Sequence, residues 1–492
     1  MHFIIDSIKK HSDENPDKKA LIFKETSITY KSLYSNICNA AGILRDKGIK
    51  KGSNILLITS TCIETIIMYF AIQECGAVVV LADKNIKTDN IIDTYKDYDC
   101  SLVVSKNKIS ISEIIQASFF ELLNDDTNDN RKLLVTHKPN DIAEIIFTSG
   151  TTSKAKGVML SYKALSTMLD NTSEGVRLSE DPILFAPLPI HHMFFMSKLR
   201  RLMFAGGTIV LQDGMSFGII TENNIKNNKC NELALVPTYY DIMKNQMKDR
   251  LPEILSNIKR VDFSSGMLSV RQRKELSKLL PNAQIISIWG TSETGGILFI
   301  DINEVSCDDT KIATIGKNYS NTLVKIVGND GNEVIGDSTS PGKISIKTDA
   351  IMSGYWKNIE LTNKTIVDGW ITINDIVYKD KDGYFYLLGR SDDIINVGGE
   401  KVSPVEVENA MELSGLVREC ACIGVDDKNG ILGQIPVAFI CTNDDYDEIK
   451  LKDYLSKRLE KYKVPKRFIV VNELPRNNLK KIDRNELRKI IK

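Results

Sequence analysis

The stretch Ala143-Glu-Ile-Ile-Phe-Thr-Ser-Gly-Thr-Thr-Ser-Lys-Ala-Lys-Gly157 is an apolar strand that runs without a break into a loop of hydroxyls, glycine and lysine. Small residues let backbone N–H groups turn toward a single anion. The hydroxyls of Thr148, Ser149, Thr151, Thr152 and Ser153 add donors, Gly150 adds freedom, and Lys154 or Lys156 adds charge. Such a loop makes a sensible cradle for a polyphosphate. A polar surface loop can have the same composition, and the stretch by itself does not choose. The Walker order GxxxxGK[ST] is absent.

Outward from this stretch, strands and helices alternate. From Tyr30 to Lys47 the apolar residues Leu33, Ile37, Ala40, Ala41 and Leu44 recur at helical spacing, and the pattern stops at Gly48. Asn54 to Thr59 and Ala77 to Leu81 read as buried strands. Between them the most apolar region of the chain, Ile55 to Ala82, is interrupted by Glu64, Gln73 and Glu74. Those interruptions suit strand, amphipathic helix and strand better than one spanning helix. The alternation returns at Thr208-Ile-Val-Leu211 and Ala234-Leu-Val236, so an α/β chain of sheets faced by helices is expected.

After about residue 300 the character changes. Turn signals at Asn329-Asp-Gly331, Pro341-Gly342 and Lys381-Asp-Gly383 separate short runs, as in hairpins. The last hundred residues read as a smaller unit. A helix is expected near Val405 to Leu413, strands near Cys420 to Val425 and Val437 to Cys441, and a helix from Glu448. The boundary falls near Gly389 to Asp393.

Bulk properties exclude several classes. A chain of 492 residues exceeds one ordinary core, so two or more domains are expected. Lys+Arg and Asp+Glu both number 64, which leaves no net field favouring nucleic acid or a membrane surface. The nine cysteines are scattered with no CxxC pair, which points away from a zinc ribbon or disulfide framework and toward buried reduced thiols. At the N-terminus Phe3-Ile4-Ile5 is followed at once by Asp6, Lys9 and Lys10, unlike a signal peptide. The expected location is the cytoplasm.

Three further segments carry chemistry. In Ile288-Trp-Gly-Thr-Ser-Glu-Thr294 an apolar strand ends in an aromatic, a glycine, two hydroxyls and an acid. Trp289 can stack on a purine and Glu293 can hold Mg²⁺, which prefers oxygen ligands shared with phosphates. A capped strand end with a solvated Glu is the plainer reading of that segment alone. Asp375 can accept hydrogen bonds from both ribose hydroxyls and Arg390 can add a charged donor, although charged turn residues look the same. Leu474-Pro-Arg-Asn-Asn-Leu-Lys-Lys-Ile-Asp-Arg484 by itself is a basic stretch.

In order, these segments resemble the superfamily of adenylate-forming, AMP-binding enzymes: acyl- and aryl-CoA synthetases, peptide-synthetase adenylation domains and luciferases. The resemblance runs from Pro16-Asp17-Lys18-Lys19-Ala20-Leu21 to Leu487. It passes through residues 148–157, Leu188-Pro-Ile-His-His192, Trp289-Gly-Thr-Ser-Glu293, Gly354-Tyr355-Trp356, Asp375, Gly389-Arg390 and Lys481. It implies an α/β fold. A large N-terminal domain of βα-layered sheets plus a small β-barrel-like part would span 1–391, and a small mobile α+β C-terminal domain 392–492. Departures stand out: Ser153 for a glycine, Ala155 for a proline, Ile373-Asn374-Asp375 for Thr-Gly-Asp with the acid retained, and Lys480 for the glycine before the catalytic lysine. Lys480 is therefore a competing candidate to Lys481.

By resemblance, Lys481 bridges the substrate carboxylate and the α-phosphate of ATP, and Glu293 binds Mg²⁺. The segment from Thr148 to Lys156 holds the outer phosphates. Ser265, Gly266, Met267 and Trp289 hold adenine, with Gly290, Thr291 and Ser292 beside it, and Asp375 and Arg390 hold ribose. Asp392 is the matching hinge, after whose rotation Gly398 and Gly399 admit the pantetheine thiol. Leu188-Pro-Ile-His-His-Met-Phe-Phe195 lacks the acid that amino-acid-activating members use for the substrate ammonium. It looks more like the CoA ligases, with His192 near the acyl and pantetheine end as a catalytic candidate beside Lys481 and Glu293, and with His192, Met193, Ile288 and Gly295 as pocket walls. The expectation is an AMP-forming ligase joining an aryl or medium acyl acid to CoA. A carrier-protein phosphopantetheine is the alternative acceptor, and an inactive nucleotide-binding homologue the third reading. Arg200 and Arg201 follow the His motif and could pair a second acid group, although solvation at the surface is the expected role.

Overall fold

The computed structural model describes residues 3–123, 135–148, 156–176, 179–214, 218–319, 321–427, 430–443, 445–477 and 481–491. The strand Ile142–Thr148 lies inside a seven-stranded sheet, parallel to Val78–Ala82 and antiparallel to Lys156–Ser161. Parallel strands require a crossover, and the helix Ile63–Glu74 supplies it between Asn54–Ile58 and Val78–Ala82. Every residue of those two strands is buried, as a sheet covered on both faces demands. The helix Tyr30–Asp46 buries Leu33, Ile37, Ala40, Ala41 and Leu44, the periodic residues of the sequence.

A nine-stranded sheet holds the middle of the chain. Its parallel centre runs Gln284–Thr291, Arg260–Phe263, Glu232–Leu235, Ile183–Ala186, Thr208–Leu211 and Lys19–Phe23. A five-stranded antiparallel sheet over 323–390 stands where the barrel-like part is expected, and Lys381-Asp-Gly383 closes its last hairpin. One continuous apolar core, from Ile4 to Phe385, joins all three sheets. A separate core begins at Ile395. There the helix Pro404–Leu413 packs Val407 and Met411 against Val417–Asp426 and Gln434–Thr442, with Arg467–Val470 added in parallel. No helix among the described residues is long and apolar enough to cross a membrane.

Arg200 and Arg201 are not at the surface. Their helix, Met193–Ala205, lies between the two large sheets and reaches a carboxylate on each. Arg200 pairs with Glu144 of the seven-stranded sheet at 3.0 Å. Arg201 reaches Glu232 at 3.1 Å and Asp262 at 3.5 Å in the nine-stranded sheet, and Lys198 reaches Asp262 at 2.6 Å. Arg260 pairs with both of those carboxylates. Burying so many charges is tolerable only because each meets an opposite one. Sequence reasoning missed this because the partners lie 31 to 64 residues away along the chain.

Candidate active site

The ends of both large sheets, the five-stranded sheet and one loop of the small domain enclose a cleft of about 720 Å³. A smaller cavity of about 160 Å³ shares the residues His192, Met193, Ser265, Ile288, Gly290 and Lys481 with it. Thr148 and Lys156, the two described ends of the phosphate-loop stretch, line the larger cleft. Ser149, Gly150, Thr151, Thr152 and Ser153 lie outside the described residues, as does Lys480. Gly266, Met267, Trp289, Glu293, Asp375, Arg390 and Asp392 line the larger cleft; Thr291 and Ser292 line both spaces, and Gly295 the smaller.

Local chain geometry explains how the Trp289 segment enters the site. A register shift between Trp289 and Gly290 interrupts the pairing of Gln284–Thr291 with Gly295–Asp301. Bulges of this kind re-aim side chains beside active sites. Glycine is required at 290, since a Cβ there would lie 1.9 Å from the Gly295 carbonyl oxygen. Ser265 holds φ at 66°, a left-handed value uncommon for a residue with a side chain and frequent at ligand clamps.

Polar groups then converge. The Trp289 indole N–H donates to Asp375 Oδ2 at 3.1 Å, and Asp375 faces Arg390 directly across two antiparallel strands. Burial pushes the Asp375 carboxyl up, against the pull of Trp289, Arg390 and Lys481. Burial likewise pushes the Lys481 ammonium down, opposed by Asp375 and assisted by Arg390. Lys481 lines both the larger cleft and the smaller cavity. Its backbone is fixed by Asn477, whose Oδ1 accepts the Lys481 N–H at 3.2 Å.

At the other end of the cleft Tyr355 donates its hydroxyl to Glu293 Oε1 at 3.0 Å, and Lys156 stands 5.6 Å from the Tyr355 ring centroid. Tyr355 was legible only as part of Gly354-Tyr355-Trp356, without a role. No cluster of three or more His, Cys, Asp or Glu able to hold a metal exists among the described residues. A lone carboxylate fits Mg²⁺, which takes one or two protein ligands and completes its shell with phosphate and water.

His192 is neutral. Burial, helped by His191 and Lys481, pushes its imidazole down to about 3. Its ring packs 4.0 Å from that of His191, which contacts Asp83 at 3.5 Å. The smaller cavity is otherwise walled by Leu188, Phe194, Phe195, Val236 and Ile288, with Thr172, Ser197 and Tyr239 adding hydroxyls. Those last three stand alone on separate helices and gave no sequence signal.

Gly398 and Gly399 line neither space. They form the two-residue turn between Ile395–Val397 and Glu400–Val402, with φ of 59° and 95°, the primed hairpin geometry that glycine favours. The small domain is instead held with Lys481 inward. Asn409 accepts the Val270 N–H at 3.3 Å, Arg271 approaches Glu412 at 3.4 Å, and Arg476 donates to Thr238 at 3.3 Å.

Residues 8–356 match the family described as AMP-binding enzyme, and residues 406–481 match the AMP-binding enzyme C-terminal domain. The 2-succinylbenzoate–CoA ligase of Bacillus cereus (strain AH820) is 26% identical over 489 residues, covering 98% of each chain. Among solved structures, the o-succinylbenzoate CoA synthetase of Bacillus subtilis in complex with its acyl-adenylate intermediate superposes with a TM-score of 0.84. It is 23% identical over 98% of this chain and 97% of that one. An anthranilate CoA ligase in complex with anthranoyl-AMP gives a TM-score of 0.89 at 22% identity, over 99% and 97% of the two chains.

Proposed function

This chain belongs to the AMP-binding enzyme family, and from that premise we propose that it is an AMP-forming ligase that activates an aryl or medium acyl acid as its adenylate and passes the acyl group to CoA. The observation that carries this reading is the meeting of Lys481 with Asp375, Arg390 and His192 at the junction of a nucleotide-sized cleft and an apolar cavity.

A carboxylate acylates poorly because oxide would have to leave. In the first step a carboxylate oxygen attacks the α-phosphorus of ATP, the bond to the β-phosphate oxygen breaks, and pyrophosphate departs. No covalent bond to the protein is needed, so catalysis reduces to alignment and charge. The acid lies in the smaller cavity with its carboxylate toward Lys481. That ammonium bridges carboxylate and α-phosphate, offsetting repulsion between two anions. Asp375 accepts from the ribose hydroxyls, Arg390 adds a donor, and Trp289 with Ser265, Gly266 and Met267 borders adenine. Thr148 and Lys156 face the outer phosphates. Glu293 is the residue that would hold Mg²⁺, which when bound offsets charge on the departing pyrophosphate.

In the second step the thiol sulfur attacks the acyl carbon and AMP leaves. Lys481 then occupies space the thiol needs, so the domain from residue 392 onward turns about Asp392, bringing Gly398 and Gly399 to the site. The full-length relatives named as CoA ligases support CoA over a carrier protein as the acceptor. The size of the smaller cavity supports a single ring or an acyl chain of comparable bulk, since a cavity of about 150 Å³ holds benzene.

Carboxylate-dependent ATP–pyrophosphate exchange across a panel of aryl and acyl acids tests the reading. Exchange with at least one acid, followed by acyl-CoA formation, is expected. No exchange with any acid would leave only an inactive homologue.

A further inference from the structure

We propose that Met193 decides the charge class of the acid, by covering a guanidinium that lies directly behind the pocket wall. The inference rests on reading the smaller cavity as the acid site. Met193 lines that cavity and also the nucleotide cleft. Behind it, Nη2 of Arg200 stands 3.4 Å from the Met193 sulfur. The other terminal nitrogen, Nη1, is committed: it donates to Glu144 at 3.0 and 3.2 Å and to the Tyr69 hydroxyl oxygen at 3.3 Å. Tyr69 in turn donates to Glu144 at 2.5 Å, which closes the cluster on that side.

A thioether sulfur is a weak acceptor. Of the two terminal nitrogens of Arg200, Nη2 therefore keeps the more hydrogen-bonding capacity, and it points at a side chain of the acid pocket. With Met193 in place the pocket wall in front of Arg200 presents sulfur and methylene groups. Among the described lining residues the cavity's one ammonium or guanidinium is Lys481, which the adenylation step uses. A second carboxylate on the substrate would be buried there with hydroxyls such as those of Thr172, Ser197 and Tyr239 but no opposite charge to meet it, a costly arrangement. A neutral ring or chain leaves nothing unpaired. Shortening residue 193 uncovers Nη2, and a guanidinium edge suits a carboxylate well.

The test is ATP–pyrophosphate exchange with matched acids on wild type, Met193→Ala, Met193→Val and Met193→Leu, alongside thermal melts. Benzoate is compared with the three benzenedicarboxylates and with 2-succinylbenzoate, and hexanoate with hexanedioate. Wild type is expected to favour the neutral-tailed acid of a pair by about a hundredfold or more in kcat/KM. Met193→Ala and Met193→Val narrow that gap about tenfold or more for at least one diacid, while Met193→Leu, which keeps the cover, does not. Equal use of a diacid by wild type would overturn the inference. So would a cooperatively folded truncation variant that leaves the gap unchanged, or a Leu variant that narrows it as much. Exchange with none of the acids would instead overturn the acid-site reading itself, and the inference with it.

Discussion

The Trp289 indole donates its N–H to Asp375 at 3.1 Å, tying the end of a strand in the nine-stranded sheet to a strand in the five-stranded one. The bond engages Oδ2 of Asp375 and leaves Oδ1 without a bond to Trp289. On the proposed reading, in which Asp375 accepts from the ribose hydroxyls, Trp289 orients that acid as well as bordering the base.

Trp289→Phe keeps an aromatic face and removes the N–H. A hydrogen bond to a charged group contributes about 1.5–3 kcal/mol. The KM for ATP should rise roughly tenfold or more in exchange assays, with a smaller change in the KM for the acid. An unchanged KM for ATP would mean that only the ring matters.

Lys481→Ala should reduce adenylate formation by about a hundredfold or more, since a donor to the transition state is lost. Thiol transfer from supplied acyl-AMP should survive, because that step belongs to the rotated arrangement. Measuring the two half-reactions separately decides the matter, and equal loss of both would count against rotation.

The contact between the domains should depend on pH. Burial pushes the Glu412 carboxyl up to about 7, with Asp241 and Glu408 adding to the effect and Ser269 and Arg271 opposing it. Asp241 is pushed up to about 6, again chiefly by burial, with Glu419 adding and Arg271 and Gln272 opposing. Carboxyls raised in this way hold protons while the domains touch and release them when the domains part. Their contribution is fully present below the ordinary carboxylate range and is lost as pH rises through the raised values. The ratio of adenylation to thiol-transfer rate should therefore fall as pH rises from about 4 to about 7. Glu412→Gln should flatten that slope; a slope unaltered by the substitution would place the titration elsewhere.

Arg201→Ala strips a cation from the buried cluster and leaves Glu232 and Asp262 short of one partner. Breaking a buried pair costs about 3–5 kcal/mol. Denaturant unfolding should register a loss of that size. Removing the exposed Lys452–Glu448 pair, at 2.6 Å, should cost less than about 1 kcal/mol. Comparable losses for the two would contradict the burial of Arg201.

Much of this protein was written locally. Apolar runs broken at Glu64, Gln73 and Glu74 specified strand, helix and strand, because period and interruption are properties of neighbouring residues. The order of hydroxyls, glycines and acids from Thr148 to Lys481 likewise marked an adenylating chain, because each group's chemistry travels with its side chain. Environment does not travel that way. Arg200 and Arg201 look like any exposed pair of arginines until two sheets close on their helix and supply Glu144, Glu232 and Asp262. That Met193 touches Arg200, and that Lys481 shares a cleft with Asp375 more than a hundred residues earlier in the chain, depends on which segments pack together. Sequence determined the sheets and the reactive groups; only the packed tertiary structure decided which charges are buried, which are paired and which face the substrate.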